Sequence, residues 1–159
     1  MVQIRLGGAE DVEAAVSVYE RSSNEARRLR GDRPHPAEEI EHVRARLREP
    51  EAWFLLASDD DTVVGMAAAV PGRADDGAGP VIPGVLFLGL VFVLPGRWGE
   101  GIGGAVTDAA LAEAGRRGYS RIHLWTHEDN ERSHRLYRGR GFSPTGRIHD
   151  GEGEWARDL

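Results

Sequence analysis

Residues 91–104 read Val91-Phe92-Val93-Leu94-Pro95-Gly96-Arg97-Trp98-Gly99-Glu100-Gly101-Ile102-Gly103-Gly104, and five glycines fall within the last ten of them. A hydrophobic run leads in. Beyond it Ile102, Val106, Ala110 and Ala114 recur at every fourth position until Gly118, so the order predicted is strand, bare loop, helix, with Gly118 as the stop. Several backbone N–H groups of such a loop can converge on one spot, where the positive end of the helix dipole also lies, and that is a phosphate-binding arrangement. The plainer reading of any one pair of these glycines is a tight turn that needs positive φ.

Outward from the loop, residues 85–93 are almost continuously hydrophobic, which predicts a strand buried on both faces at the centre of a sheet. Gly89 in its middle predicts a bulge or a close approach. Residues 119–126 read as another strand, so residues 85–126 form a β-loop-α-β unit, expected to be parallel with a right-handed crossover. Upstream, residues 2–6 predict a short strand. Val12, Ala15, Val16 and Tyr19 make one apolar stripe of a helix starting near Glu10, and Ile40, Val43 and Leu47 mark a second helix between Pro36 and Pro50. Residues 53–57 and 62–70 predict a hairpin around Ser58-Asp59-Asp60-Asp61. These aspartates read as a solvated turn, since no following glutamate completes a calcium ligand set. Residues 71–84, rich in Pro, Gly and Asp, predict a long loop and the best candidate for substrate access. Downstream, a short helix from Glu131 to about Gly139 and a hairpin of residues 143–148 and 152–158 around Asp150-Gly151 complete the chain.

Two nucleotide loops compete for the glycines. Gly99, Gly101 and Gly104 satisfy G-x-G-x-x-G, but in a dinucleotide fold the first glycine follows the strand directly and an acidic residue stands about twenty positions on. Here Pro95-Gly96-Arg97-Trp98 intervenes, Tyr119 stands near the acidic position, and too little chain remains for a second βαβ half. A Walker loop is excluded, because neither Lys nor Ser/Thr follows the last glycine.

The run from Val91 to Gly103 resembles the pyrophosphate loop of the GNAT superfamily of N-acetyltransferases, Gln/Arg-x-x-Gly-x-Gly/Ala, aligned on Trp98-Gly99-Glu100-Gly101-Ile102-Gly103. Trp98 stands at the usual Gln/Arg position, which costs a side chain and leaves the backbone N–H groups in place. A second stretch, Asn130-Glu131-Arg132-Ser133-His134-Arg135-Leu136-Tyr137-Arg138-Gly139-Arg140-Gly141-Phe142, resembles the family's N-x-x-A/S-x-x-x-Y-x-x-x-G-F pattern at every anchor. Together the two cover about a third of the chain.

The resemblance implies an α/β fold with a mixed sheet of about seven strands, mostly antiparallel around a central splayed parallel pair, with helices on both faces. It implies acetyl-CoA as co-substrate, its pantetheine arm pairing with backbone of Val91, Phe92 and Val93 and its pyrophosphate held by Trp98, Gly99, Glu100, Gly101, Ile102, Gly103 and Gly104. Tyr137 then acts as general acid on the leaving thiolate, a role open to a phenol because its ordinary pKa near 10 keeps it protonated at neutral pH; its plainer reading is a core aromatic. Asn130 caps the following helix, binds the cofactor arm, or does both. Many relatives carry a glutamate on the strand before the glycine loop, whereas residues 85–93 here contain no ionisable group. His127, Glu128 and Asp129 are the nearest alternatives for a base, and His127 reads equally as a solvated turn residue. No metal is expected, since His127 and His134 lack a convincing third ligand. Arg27, Arg28, Arg30 and Arg33 read as a solvated face, with acidic substrate or CoA phosphates as the alternative.

Composition sets the remaining expectations. A net charge of −6 argues against a general affinity for nucleic acid or anionic membrane. The absence of cysteine excludes disulfides, thiolate zinc sites and cysteine nucleophiles. The opening residues lack the apolar core of a signal peptide and the longest apolar run is too short to span a bilayer, so a cytoplasmic single domain over residues 1–159 is expected. The resemblance further implies a small-molecule or peptide amine as acceptor, and a homodimer is left open. The rival of a different class is a non-catalytic acyl-CoA-binding module on the same fold.

Overall fold

The computed structural model describes residues 1–159. Its strands form a seven-stranded sheet in the order β1-β2-β3-β4-β5-β7-β6, where β1 is Val2–Leu6, β2 Trp53–Asp59, β3 Thr62–Arg73, β4 Val81–Val93, β5 Arg121–His127, β6 Ser143–His149 and β7 Glu152–Asp158. Four α-helices accompany it: α1 Val12–Leu29, α2 Ala37–Leu47, α3 Ile102–Arg116 and α4 Glu131–Arg138. No helix is long and apolar enough to cross a membrane. The chain groups into two compact units, Met1–Ala68 with Leu90–Ala109, and Ala69–Gly89 with Ala110–Leu159.

In the first unit β1 lies antiparallel to β2, Val2 opposite Asp59 and Leu6 opposite Leu55. The predicted stripes of α1 and α2 are the core. Val12, Ala15, Val16, Tyr19, Ile40, Val43 and Leu47 are all buried, together with Phe54, Leu56 and Met66, and Leu90 and Phe92 of the loop-side end of β4, with Leu94 just beyond it, pack on this cluster. A 3-10 turn, Ala9–Asp11, delays α1 to Val12. Asp11 explains the delay: its carboxylate accepts two hydrogen bonds from Arg5, each 2.8 Å, and one from the Gly8 N–H at 2.8 Å. These contacts hold the Asp11 carboxyl at a pKa of about 2, the Arg5 hydrogen bonds foremost.

A depressed folded-state pKa contributes stability above the ordinary carboxylate value that is lost as pH falls through the folded value. Asn can still accept from Gly8, so Asp11→Asn removes mainly the Arg5 pairing. With Arg5 half exposed to screening solvent, the expected loss at neutral pH is roughly 1–2 kcal/mol. Urea unfolding should show that gap at pH 7 and show it closing as pH drops below the ordinary carboxylate range toward 2. A gap independent of pH would refute the ion-pair account.

The second unit carries the one parallel ladder, Val85 opposite Arg121, Leu86 opposite Ile122 and Phe87 opposite His123. β5 also lies antiparallel to β7 along its whole length, and β7 to β6. Asp150 and Gly151 turn the final hairpin with φ of +50° and +78°, the left-handed pair that a two-residue hairpin loop demands. At the end of α3, Gly118 adopts φ +86° and the Tyr119 N–H closes onto Ala114 O at 3.0 Å. Tyr119 thus belongs to the helix stop and β5 starts two residues later than expected.

Two expectations are corrected. Residues 71–84 are not a long loop: β3 runs to Arg73 and β4 begins at Val81, so only residues 74–80 connect them, closed by Ala74 N–H to Pro80 O at 3.0 Å. Pro71 and Pro83 lie inside those strands, and composition misleads because the turn residues belong to a tight hairpin end rather than to a free segment. β4, moreover, is not buried on both faces. Leu86 and Leu88 are buried, whereas Val85, Phe87, Val91, Phe92 and Val93 are half-buried and Gly89 is exposed. Gly89 makes room for a side chain, since a Cβ there would lie 3.3 Å from the Phe87 ring.

Candidate functional site

In the first unit, β4 passes through a 3-10 turn, Pro95–Arg97, into the glycine loop and α3. The turn uses the N–H groups of Arg97 and Trp98, bonded to Leu94 O at 2.9 Å and Pro95 O at 3.3 Å. Gly99 and Gly101 then adopt φ of +85° and +84°, conformations that cost an L-residue about 1–2 kcal/mol. A Cβ on either would meet no protein atom within 4 Å. Glycine is therefore required by backbone direction, with open space in front of it. At the start of α3, Ala105 N–H reaches Gly101 O at 3.1 Å, and the N–H groups of Ile102, Gly103 and Gly104 precede any intrahelical partner. An anionic group fits this helix start. The Ile102 side chain is buried and faces the position of a Gly65 Cβ at 2.9 Å, so any contact of Ile102 with a ligand is through its backbone.

The side chains around the loop hold it from behind. Arg97 pairs with Glu100 at 3.0 Å and with Asp59 of β2 at 2.9 Å, so both carboxylates lower the positive charge that Arg97 could offer. Asp59, expected in a solvated turn, is thus the far anchor of the loop; only its partner thirty-eight positions on reveals it. Trp98 turns back onto the strand, donating from its indole Nε1 to Val93 O at 2.7 Å. Of the main-chain acceptors at Val91, Phe92 and Val93, one lone pair of the Val93 carbonyl is therefore already taken. Phe92 packs its ring edge-on to Tyr19 at 5.1 Å.

Trp98→Phe leaves that carbonyl without its donor, an expected loss of about 1 kcal/mol, or a fall of roughly 2–4 °C in Tm for a chain of this size. CoA affinity should change less than threefold. Calorimetric titration with CoA checks it, and a tenfold weakening would place the indole on the cofactor.

In the second unit, Asn130 caps α4, its carboxamide oxygen accepting from the Ser133 N–H at 3.1 Å. Tyr137 is the penultimate residue of α4, 7% exposed. Gly141, at φ +83°, reverses the chain, and the Phe142 N–H bonds Tyr137 O at 3.0 Å, which brings the Phe142 ring edge-on to Tyr137 at 5.5 Å. The spacing from tyrosine to Gly-Phe is thereby a helix stop that clamps the aromatic pair. Burial pushes the Tyr137 phenol well above its ordinary value, so it is a donor throughout the neutral range.

The nearest alternatives for a base lie at the end of β5 and in the turn after it: His127 faces Asp129 at 3.6 Å, and the Glu128 N–H is tied to Gly151 O at 2.9 Å. His134 makes contact with the His127 carbonyl at 3.1 Å and stacks on Trp155. The arginine set pairs locally: Arg27 donates to Arg33 O, Arg28 meets Glu25 and Arg30 meets Asp32.

Residues 15–142 match the acetyltransferase (GNAT) family model. Among curated proteins, a mycothiol acetyltransferase of Beutenbergia cavernae is 34% identical over 106 residues, 62% of this chain and 33% of that protein. The chain thus spans about a third of the length of that relative. Among solved structures, the PaiA N-acetyltransferase of Thermoplasma acidophilum in complex with coenzyme A superposes with a TM-score of 0.76 at 17% identity, covering 100% of this chain and 99% of that one. The ribosomal-protein-S18-alanine N-acetyltransferase of Escherichia coli gives 0.75 at 17%, covering 100% and 94%. At such identities these two report on the fold.

Proposed function

Since the chain belongs to the acetyltransferase (GNAT) family, we propose that it transfers an acetyl group from acetyl-CoA to a primary amine directly, in a ternary complex and within one domain, without a covalent enzyme intermediate. The observation that carries this reading is the glycine loop, where two positive-φ glycines with open space before them lead into the first turn of α3, whose N–H groups have no intrahelical partner. Residues 99–104 would hold the pyrophosphate through backbone N–H groups and the helix dipole, the Trp98 N–H being bonded to Pro95 O. Backbone of Val91, Phe92 and Val93 would pair with the pantetheine arm, and an N–H there would polarise the thioester carbonyl and stabilise the developing oxyanion. Asn130 would add its amide to the arm, and Tyr137 would protonate the departing thiolate.

The second reading, a non-catalytic acyl-CoA-binding module, is favoured by the absence of any ionisable side chain in residues 85–93. CoA titration cannot separate the two, because both bind. Release of CoA thiol from acetyl-CoA across a panel of amines can. The panel starts with small-molecule amines, because a matching relative is named for mycothiol, and includes amino acids, polyamines and peptide N-termini. Acetylated product from any of them supports transfer; CoA binding with no turnover on the whole panel supports the module.

A further inference from the structure

The chemistry proposed above needs a group to accept the amine's proton, and β4 supplies none. A histidine–glutamate dyad in the second unit has the required form. His123 stands on β5 opposite Phe87, the last rung of the parallel ladder. Along β5 the side chains alternate: Ile122, Leu124 and Thr126 are buried, while His123, Trp125 and His127 are half-buried on the other face. His123 therefore lies on the less buried face of β5.

Its ring is held on two sides. Phe87 stacks on it with centroids 5.0 Å apart, and its Nδ1 lies 3.1 Å from Oε2 of Glu154 on β7. Glu154 is itself buried, its side chain 9% exposed. Its Oε1 accepts from the Thr145 hydroxyl at 2.8 Å and its Oε2 from Arg147 at 3.2 Å. Arg147 is fixed in turn by an ion pair with Asp76 and by its place over the Trp125 ring. An ionised carboxylate only accepts hydrogen bonds, so Nδ1 carries the ring proton and Nε2 keeps its lone pair. This is the orientation in which a carboxylate prepares a histidine to act as base.

We propose that His123, oriented by Glu154, is the general base for the acceptor amine, an assignment that rests on the acetyl-transfer reading. The amine nitrogen attacks the thioester carbonyl; the N–C bond forms and the C–S bond breaks. The proton lost by the amine goes to His123 Nε2, and the CoA thiolate takes its proton from Tyr137. Burial holds the His123 imidazole below its ordinary range, with Arg147 and Arg121 acting in the same direction and Glu154 against them, so the ring is neutral and receptive at pH 7. No ionisable side chain faces it from β4, where its neighbour is Phe87. A purely structural ion-pair network would need the same contacts and would leave the pH dependence of turnover untouched.

The test is kcat against pH with an amine that the wild-type protein acetylates. Wild type should lose activity on an acidic limb below the ordinary imidazole value. His123→Asn keeps a donor toward Glu154 and loses the base; kcat should fall on the order of 100-fold or more, the limb should vanish, CoA affinity should hold, and added imidazole should restore part of the rate. Glu154→Gln removes the one group that raises the imidazole pKa and should move the limb to lower pH. A second measurement is independent of any variant's folding: nitrogen NMR of wild type should show the Nδ1–H tautomer at neutral pH. A wild-type rate and profile in His123→Asn, or an Nε2–H tautomer, overturns the assignment while acetyl transfer stands. If no amine is acetylated by wild type, the transfer reading fails and takes this one with it.

Discussion

Tyr137→Phe is expected to lower kcat on the order of 100-fold while leaving CoA affinity within twofold, because a general acid contributes about 10²–10⁴ and acts after binding. The substitution keeps the ring that clamps against Phe142, so stability should change by less than about 1 kcal/mol and a loss of rate cannot be blamed on packing. One objection is energetic. With an ordinary phenol near 10 and a thiol near 8.5, proton transfer to the thiolate is already uphill by about 2 kcal/mol, and burial raises the Tyr137 phenol further. The same dry surroundings raise the thiol as well, since both anions lose solvation there, so the mismatch does not grow in proportion. Because the phenol stays protonated well past neutrality, wild-type kcat should show no basic limb from Tyr137 in the range where most amines are assayed. Full activity of the phenylalanine variant across that range would remove Tyr137 from the mechanism.

Gly101→Ala should weaken CoA binding on the order of 100-fold, read by calorimetric titration. An alanine at φ +84° costs about 1–2 kcal/mol, and the cheapest relief is to rotate the loop, which turns its N–H groups away from the pyrophosphate. Losing two charge-assisted hydrogen bonds at about 1.5 kcal/mol each accounts for the factor. The control is Gly118→Ala. Gly118 has nearly the same φ, +86°, and the same open space around a would-be Cβ, but it follows the end of α3 instead of preceding its start. Both variants should lose a similar few degrees of Tm, and only the first should lose CoA. Equal CoA affinity in the two would mean that Gly99 and Gly101 shape a turn and nothing more.

Much of this protein is readable by period and punctuation. Ile102, Val106, Ala110 and Ala114 are all buried, as a four-residue spacing with a glycine stop demands, and Asp60 and the pair Asp150-Gly151 turn hairpins with positive φ, which aspartate tolerates and glycine adopts freely. Proline and glycine misled at residues 71–84, where they occupy the ends of two strands and a seven-residue connection. Of the residues named for binding and chemistry, the sequence could say which backbone would be bare and which aromatic would be held, since both follow from motifs whose spacing is local.

Asp59 and the His123–Glu154 dyad were out of its reach for one shared reason. Arg97 finds Asp59 thirty-eight positions away, and His123 finds Glu154 thirty-one positions away; such partners are set by strand register, which depends on every intervening turn. Local sequence determined where this chain is helical, where it must bend and where its amides lie open. The tertiary structure alone decided which charges meet, because a side chain's pKa and hydrogen-bonding state belong to the neighbours that the sheet delivers to it.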